Sequence, residues 1–264
     1  MTGPSHHDPP GLAEPDVQLS RWGGIAALAG VAMMVVTVGV VVAAGLPDAS
    51  DAETLTDFAD IESGRIAEHF LYLGAVVLFA VHVAVLHRLL KAAHPAASLF
   101  GEVIAMFGLV IMAASSLLHV STAPLADLYE SQDANPTDQQ AIEYSWHAAQ
   151  SVFDTMLATG VLLVPIGIAL FGVAMWKTTS FGRRLAVFSV GLGAVGTLGA
   201  AIAVVDPTSD VDAVSVLAMT VFFLSVGWRT LNLGRKMTAT PPTGQSGETP
   251  VGTTATHRTS TPGL

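Results

Sequence analysis

Cysteine is absent from the 264 residues. That excludes disulfides, c-type haem attachment, cysteine-ligated zinc and iron–sulfur clusters within this chain. Charge is scarce too: Asp, Glu, Lys and Arg make up 12% of the sequence, where a soluble domain carries about 25%. No lysine or arginine occurs in the first twenty residues, so the basic start of a secretory signal peptide is missing. There is no metalloprotease H-E-x-x-H, no serine–histidine–aspartate arrangement, no phosphate loop and no basic groove. Catalysis is therefore unassigned, with the balance against an enzyme, and nucleic acid is disfavoured as a partner.

Apolar residues, in contrast, are abundant. They form 51% of the chain, and the mean hydropathy is +0.57. Six apolar stretches stand out: Gly23–Leu46, Ala67–His87, Leu99–His119, Ala148–Trp176, Leu185–Val205 and Ala213–Trp228. Each approximates the roughly 20 residues that a helix needs to cross about 30 Å of hydrocarbon. Backbone polar groups find no water in lipid, so spans of this kind must be helical. The expected fold is all-α: a polytopic membrane bundle of six transmembrane helices, with Pro165 a kink in the fourth. The first stretch contains the weak cleavage lookalike "VVAAG" (Val41–Gly45), but its length favours a retained helix.

Basic residues set the orientation. Arg21, Arg88, Lys91, Lys177, Arg183, Arg184, Arg229, Arg235 and Lys236 all fall on one side if six spans alternate; only Arg65 falls on the other. This predicts both termini in the cytoplasm and a multi-pass protein of the cytoplasmic membrane. Trp22, Trp146, Trp176 and Trp228 sit at span ends, where the headgroup layer suits an amphipathic ring. The tails, residues 1–20 and 238–264, are rich in Pro, Gly, Ser and Thr and are expected to be disordered.

The outer connections are acidic. Asp48, Asp51, Glu53, Asp57, Asp60 and Glu62 lie in the first, Asp127, Glu130, Asp133, Asp138 and Glu143 in the second, and Asp206, Asp210 and Asp212 in the third. They read as a solvated surface or as a negative vestibule that concentrates cations.

Ionisable groups inside spans cost about 2.5–3.5 kcal/mol each on insertion scales, so they normally face protein or trapped water. In span four, His147, Ser151 and Asp154 are spaced i, i+4, i+7 and lie within about 60° of one another. Asp154 falls about 11–12 Å below Trp146 by helical rise. Span three carries Glu102, Ser116 and His119 on one face, and span two enters with Glu68 and His69, with His82 deeper. The expectation is a polar pocket in the outer half of the bundle, built from Glu68, His69, Ser116, His119, His147, Ser151 and Asp154. Asp154 is its expected centre and pairs with a histidine. Glu68, His69, His119 and His147 also read blandly as headgroup-level groups in contact with water, and His82 as a satisfied core histidine, whereas the depth of Asp154 favours an interior role.

Span five contains "GLGAVG", Gly191–Gly196, which matches a nucleotide fingerprint in letters only. The fingerprint needs a strand before it and a βαβ frame around it. Ser189, Gly193, Gly196 and Ala200 instead form a small-residue strip for close helix packing.

The stretch Leu163–Ala200 joins an "LFG" segment (Leu170–Gly172), a short basic loop (Gly182–Arg184) and a glycine-rich helix (Gly191–Gly199). In this it resembles the later half of a family of uncharacterised, mostly bacterial integral membrane proteins known as a domain of unknown function. The resemblance covers the last four spans. It implies about six helices, with no chemistry and no residue roles to carry over. The acidic outer loops and long tails are outside the shared pattern.

Three functional readings follow. In the first, the outer pocket binds or senses a proton or small cation. In the second, His69, His119 and His147 hold b-type haem or zinc, which extends to a zinc-dependent membrane hydrolase. In the third, the chain is a non-catalytic subunit that packs against a membrane partner or a second copy of itself. No cofactor is required by the first or third reading. The lipid bilayer is a partner in all three.

Overall fold

The computed structural model describes residues 14–46, 54–131, 135–205 and 211–238. It contains seven helices among these residues: α1 (Glu14–Ala44), α2 (Thr54–Leu90), α3 (Pro95–Val120), α4 (Ala123–Glu130), α5 (Pro136–Met175), α6 (Arg183–Val205) and α7 (Asp212–Thr238). All except α4 are long and apolar enough to cross a membrane. The chain is thus an all-helical, multi-pass membrane protein. Asp48, Asp51, Glu53, Asp133, Asp206 and Asp210 lie outside the described residues, as do residues 1–13 and 239–264 of the tails. Residues 14–20, expected as part of the disordered tail, belong to α1.

Local chemistry explains the helix ends. Three helices begin with proline in the first turn, where its missing N–H leaves no bond unmade. Asn135 caps α5 by accepting from the N–H groups of Thr137 and Asp138, and the His94 ring accepts from Ala97 at the start of α3. The "VVAAG" segment is the end of α1. Gly45 takes φ +60°, the Leu46 N–H donates to Val41 and the Gly45 N–H to Val42. That pair of bonds is a Schellman motif. Helix α5 continues through Pro165 without interruption.

The six long helices form a closed ring. Each packs on its neighbour in the order α1, α2, α3, α5, α6, α7, and α7 returns to α1. Glycine makes several of these seams possible. Gly101 and Gly108 of α3 meet Gly160 and Gly167 of α5 so closely that a Cβ at Gly160 would stand 2.8 Å from the Gly108 oxygen. The expected strip on α6 is buried throughout: Ser189, Gly193, Gly196 and Ala200 face inward. The Pro165 ring rests on Gly196. Between α1 and α7, Gly24 lies against the Leu231 backbone and Gly234 against Arg21 and Ser20. The start of α1 and the end of α7 therefore share one end of the bundle, the basic end.

Helix lengths show that the other end projects. The 23 residues of α6 rise about 35 Å, little more than the hydrocarbon thickness. The 40 residues of α5 rise about 60 Å. The excess lies at the acidic end, where α4 packs on α2 and α5. Leu55, Ala126 and Trp146 form a second small core there, with Ala123, Leu125, Tyr129 and Ile142 around it. We refer to this assembly as the cap.

The tryptophans divide accordingly. Trp22, Trp176 and Trp228 are 67%, 45% and 56% exposed near the basic end, a position that suits an amphipathic ring at a headgroup layer. Trp146 is fully buried. Its expected place in the headgroup layer is corrected: it is the centre of the cap core.

Candidate functional site

The residues beneath the cap come from three helices. Arg65, Glu68 and His69 lie on α2, Ser116 and His119 on α3, and Trp146, Gln150 and Phe153 on α5. Their depth follows from counting. About 20 residues back from Trp176 along α5, or some 30 Å, is the level of Met156. The network therefore sits where the bundle leaves the hydrocarbon and enters the cap.

The sequence places Asp154, His147 and Ser151 in this pocket, and the structure turns all three outward. They are exposed, whereas Trp146, Gln150 and Phe153 are buried. Both triplets have the spacing i, i+4, i+7, and they differ by one residue, about 100° of rotation. The physical reason is depth. At the headgroup level, polar side chains gain by facing water and the apolar face turns to protein, the reverse of the arrangement deeper in lipid. Asp154 is therefore not the centre of the site. His147 is likewise separated from His69 and His119, so the three candidate metal or haem ligands do not converge. Among the described residues no group of three or more His, Asp or Glu is placed to hold a metal ion.

Four expected residues do come together: Glu68, His69, Ser116 and His119. Glu68 is partly buried and accepts from the Arg65 guanidinium at 3.0 Å. The Arg65 side chain is only 4% exposed. The His69 and His119 rings are in contact, with centroids 4.5 Å apart and a 36° tilt. Phe153 packs on His119 at 4.8 Å and edge-on to His69 at 6.1 Å. Trp146 closes the other side, 6.4 Å from His119.

The hydrogen bonds fix one tautomer. Ser116 Oγ donates its single proton to the His69 carbonyl at 3.0 Å. The same oxygen lies 3.2 Å from His69 Nδ1, so it must accept there, and Nδ1 carries the hydrogen. His69 Nε2 is then a bare lone pair. That nitrogen, both ring nitrogens of His119, and both polar atoms of the Gln150 amide are buried with no hydrogen-bond partner among the described residues. The Gln150 amide is the nearest candidate partner for His119, within reach of a bond on a small turn of either side chain. Buried polar atoms are nearly always satisfied; a cluster of five marks a place where a proton, a water or a small polar molecule would gain bonds.

Ser116→Ala is expected to cost about 1–2 kcal/mol, because it leaves the His69 N–H buried without an acceptor. Ser151→Ala, on the exposed face, is expected to stay within about 0.5 kcal/mol of wild type. Thermal unfolding of the two variants in one detergent distinguishes the inward face from the outward one.

Two residues of the network escaped the sequence reading in different ways. Arg65 was noted only as the lone basic residue on the acidic side; its position three before Glu68 is the signal for a helical ion pair. Gln150 is a polar flank of the His147, Ser151 and Asp154 stripe in the sequence, and the rotation of α5 makes that flank the inward face. Outside the network, His82 is fully buried and bonds the Gly23 carbonyl at 2.8 Å, a packing role. Glu102 pairs with His87 at 3.5 Å near the basic end, far from His119.

No curated protein and no solved structure matches the chain. Residues 24–229, from the first span through the last, match the family described as a domain of unknown function, DUF4386, and the chain belongs to that family.

Proposed function

We propose that this chain is a proton-responsive membrane protein, in which the imidazole pair beneath the cap takes up a proton and the cap reports it. The observation that carries this reading is the buried contact of His69 and His119, with the His69 Nε2 lone pair held ready by Ser116. A proton taken by that nitrogen makes an imidazolium with the Arg65 guanidinium on its own helix and the His119 ring against it. Glu68 is the carboxylate nearest in the chain, and it already binds Arg65. Among the described residues the added charge has no further carboxylate beside it within the space bounded by Trp146 and Phe153, and buried charge without a partner is costly. Moving the cap to admit water relieves it. The acidic groups of the cap, including Glu130, Asp138 and Glu143, raise the local concentration of cations at its surface.

Fluorescence tests this directly. Trp22, Trp176 and Trp228 are exposed, so replacing these three with phenylalanine leaves the buried Trp146 as the reporter. In lipid nanodiscs its emission is expected to shift to the red, reversibly, as pH falls from about 8 to 3, a window that reaches below the range of free imidazole because charge buried here is costly. The shift should vanish in the His69→Gln, His119→Gln double variant. A flat titration, or one unchanged in the double variant, refutes the proposal. A shift driven by added sodium or calcium at constant pH moves the site from proton to cation binding.

A further inference from the structure

The basic end carries a separate feature. A groove of about 610 Å³ runs along the seam of α1 and α2, lined by Asp16, Leu19, Val81, Ala84, Val85 and Arg88. Its floor is aliphatic and its mouth is charged. From Val81 to Arg88 the groove follows α2 for about 10 Å, within two segments able to span a membrane. Gly23 abuts Val85, which puts the exposed Trp22 beside the groove and so places the mouth at the headgroup layer.

The two charges at the mouth are only loosely engaged. Arg88 Nε lies 3.7 Å from the Asp16 carboxylate, and the side chains are 55% and 26% exposed. Both therefore keep bonding capacity toward a third group. A guanidinium pairs well with phosphate, and a carboxylate accepts well from a primary ammonium.

We propose that this groove is a binding site for a phospholipid with an ethanolamine headgroup. Its phosphate lies against Arg88, its ammonium against Asp16, and one acyl chain runs along Leu19, Val81, Ala84 and Val85. An anionic headgroup without an amine meets the Asp16 carboxylate unfavourably. A choline headgroup presents methyl groups where ammonium hydrogens are needed. The site is independent of the histidine network at the other end.

The test uses the full chain in detergent, incubated with equal amounts of dioleoyl phosphatidylethanolamine, phosphatidylglycerol and phosphatidylcholine, then repurified. Retained lipid is counted by mass spectrometry. The ethanolamine lipid is expected to be enriched about three- to fivefold over either competitor, the range of a partly exposed charge pair. Arg88→Gln should abolish the enrichment, and Asp16→Asn should shift it toward phosphatidylglycerol. Ala84→Trp fills the groove from its outer side while keeping both charges, and should abolish retention even if Arg88→Gln fails to fold. Retained lipid in the proportions supplied, a wild-type preference for phosphatidylglycerol, or a preference that survives Ala84→Trp overturns the proposal.

Discussion

Trp146→Ala is expected to unseat the cap while leaving the membrane ring assembled. The indole is fully buried, packs with Leu55 and Ala126 and lies against His119. Truncating a buried tryptophan costs about 3–5 kcal/mol, and the core around it is too small to absorb that loss. Hydrogen exchange should accelerate in α4 and in the first turns of α2 and α5, with protection in α6 and in the lower half of α3 retained. Trp176→Ala, at a 45% exposed site, should change neither. Equal protection of the cap in both variants would mean that something other than Trp146 holds it down.

Gly167→Leu is expected to have the opposite distribution and to abolish the assembled ring. A Cβ at this position would stand 2.6 Å from Ala105 Cβ and 2.8 Å from both the Ala105 nitrogen and the Gly101 oxygen. Two of those three atoms are backbone, which cannot rotate aside. Overpacking in a core typically costs about 1–3 kcal/mol; helix α3 has to separate from α5, so the loss here is at the upper end or beyond. The measurement is monodispersity and thermal unfolding of the purified chain. Gly191→Leu is the control, because nothing lies within 4 Å of a Cβ there. If both variants purify alike, close glycine packing does not hold this seam.

The spans were legible in the sequence because a membrane imposes length and apolarity on each one separately. At the basic end α2, α3, α5 and α6 begin or end close to the expected positions, where charged residues mark the boundary, whereas α1 starts earlier and α7 runs further than expected. The acidic-end extensions of α2 and α5, and the whole of α4, were read as loop, since polar composition hides a helix whose partner is another helix. Facing was harder still. Helices α1 and α2 have almost no amphipathic periodicity, because lipid and protein interior are both apolar. That is why polarity alone places Asp154 inside and leaves Gln150, one register position away, at the flank of the stripe. Ser116 and His119 are buried because α3 is packed on both sides, by α2 and α5. The glycine pairs Gly101/Gly108 and Gly160/Gly167 were readable as heptad repeats of small residues on two helices, but no sequence rule says that the two repeats meet.

A ring closed by its first and last helices also has a history in time. Synthesis delivers α1 before the other helices of the ring and α7 after them, so every nascent form that lacks α7 is an open arc. Until α7 arrives, the notch at Gly24 and the contact surface of Ala27 face lipid with nothing to fill them. Assembly of this protein must therefore include a late docking step between elements some two hundred residues apart, and a ribosome stalled before α7 would leave a species that is inserted but not closed.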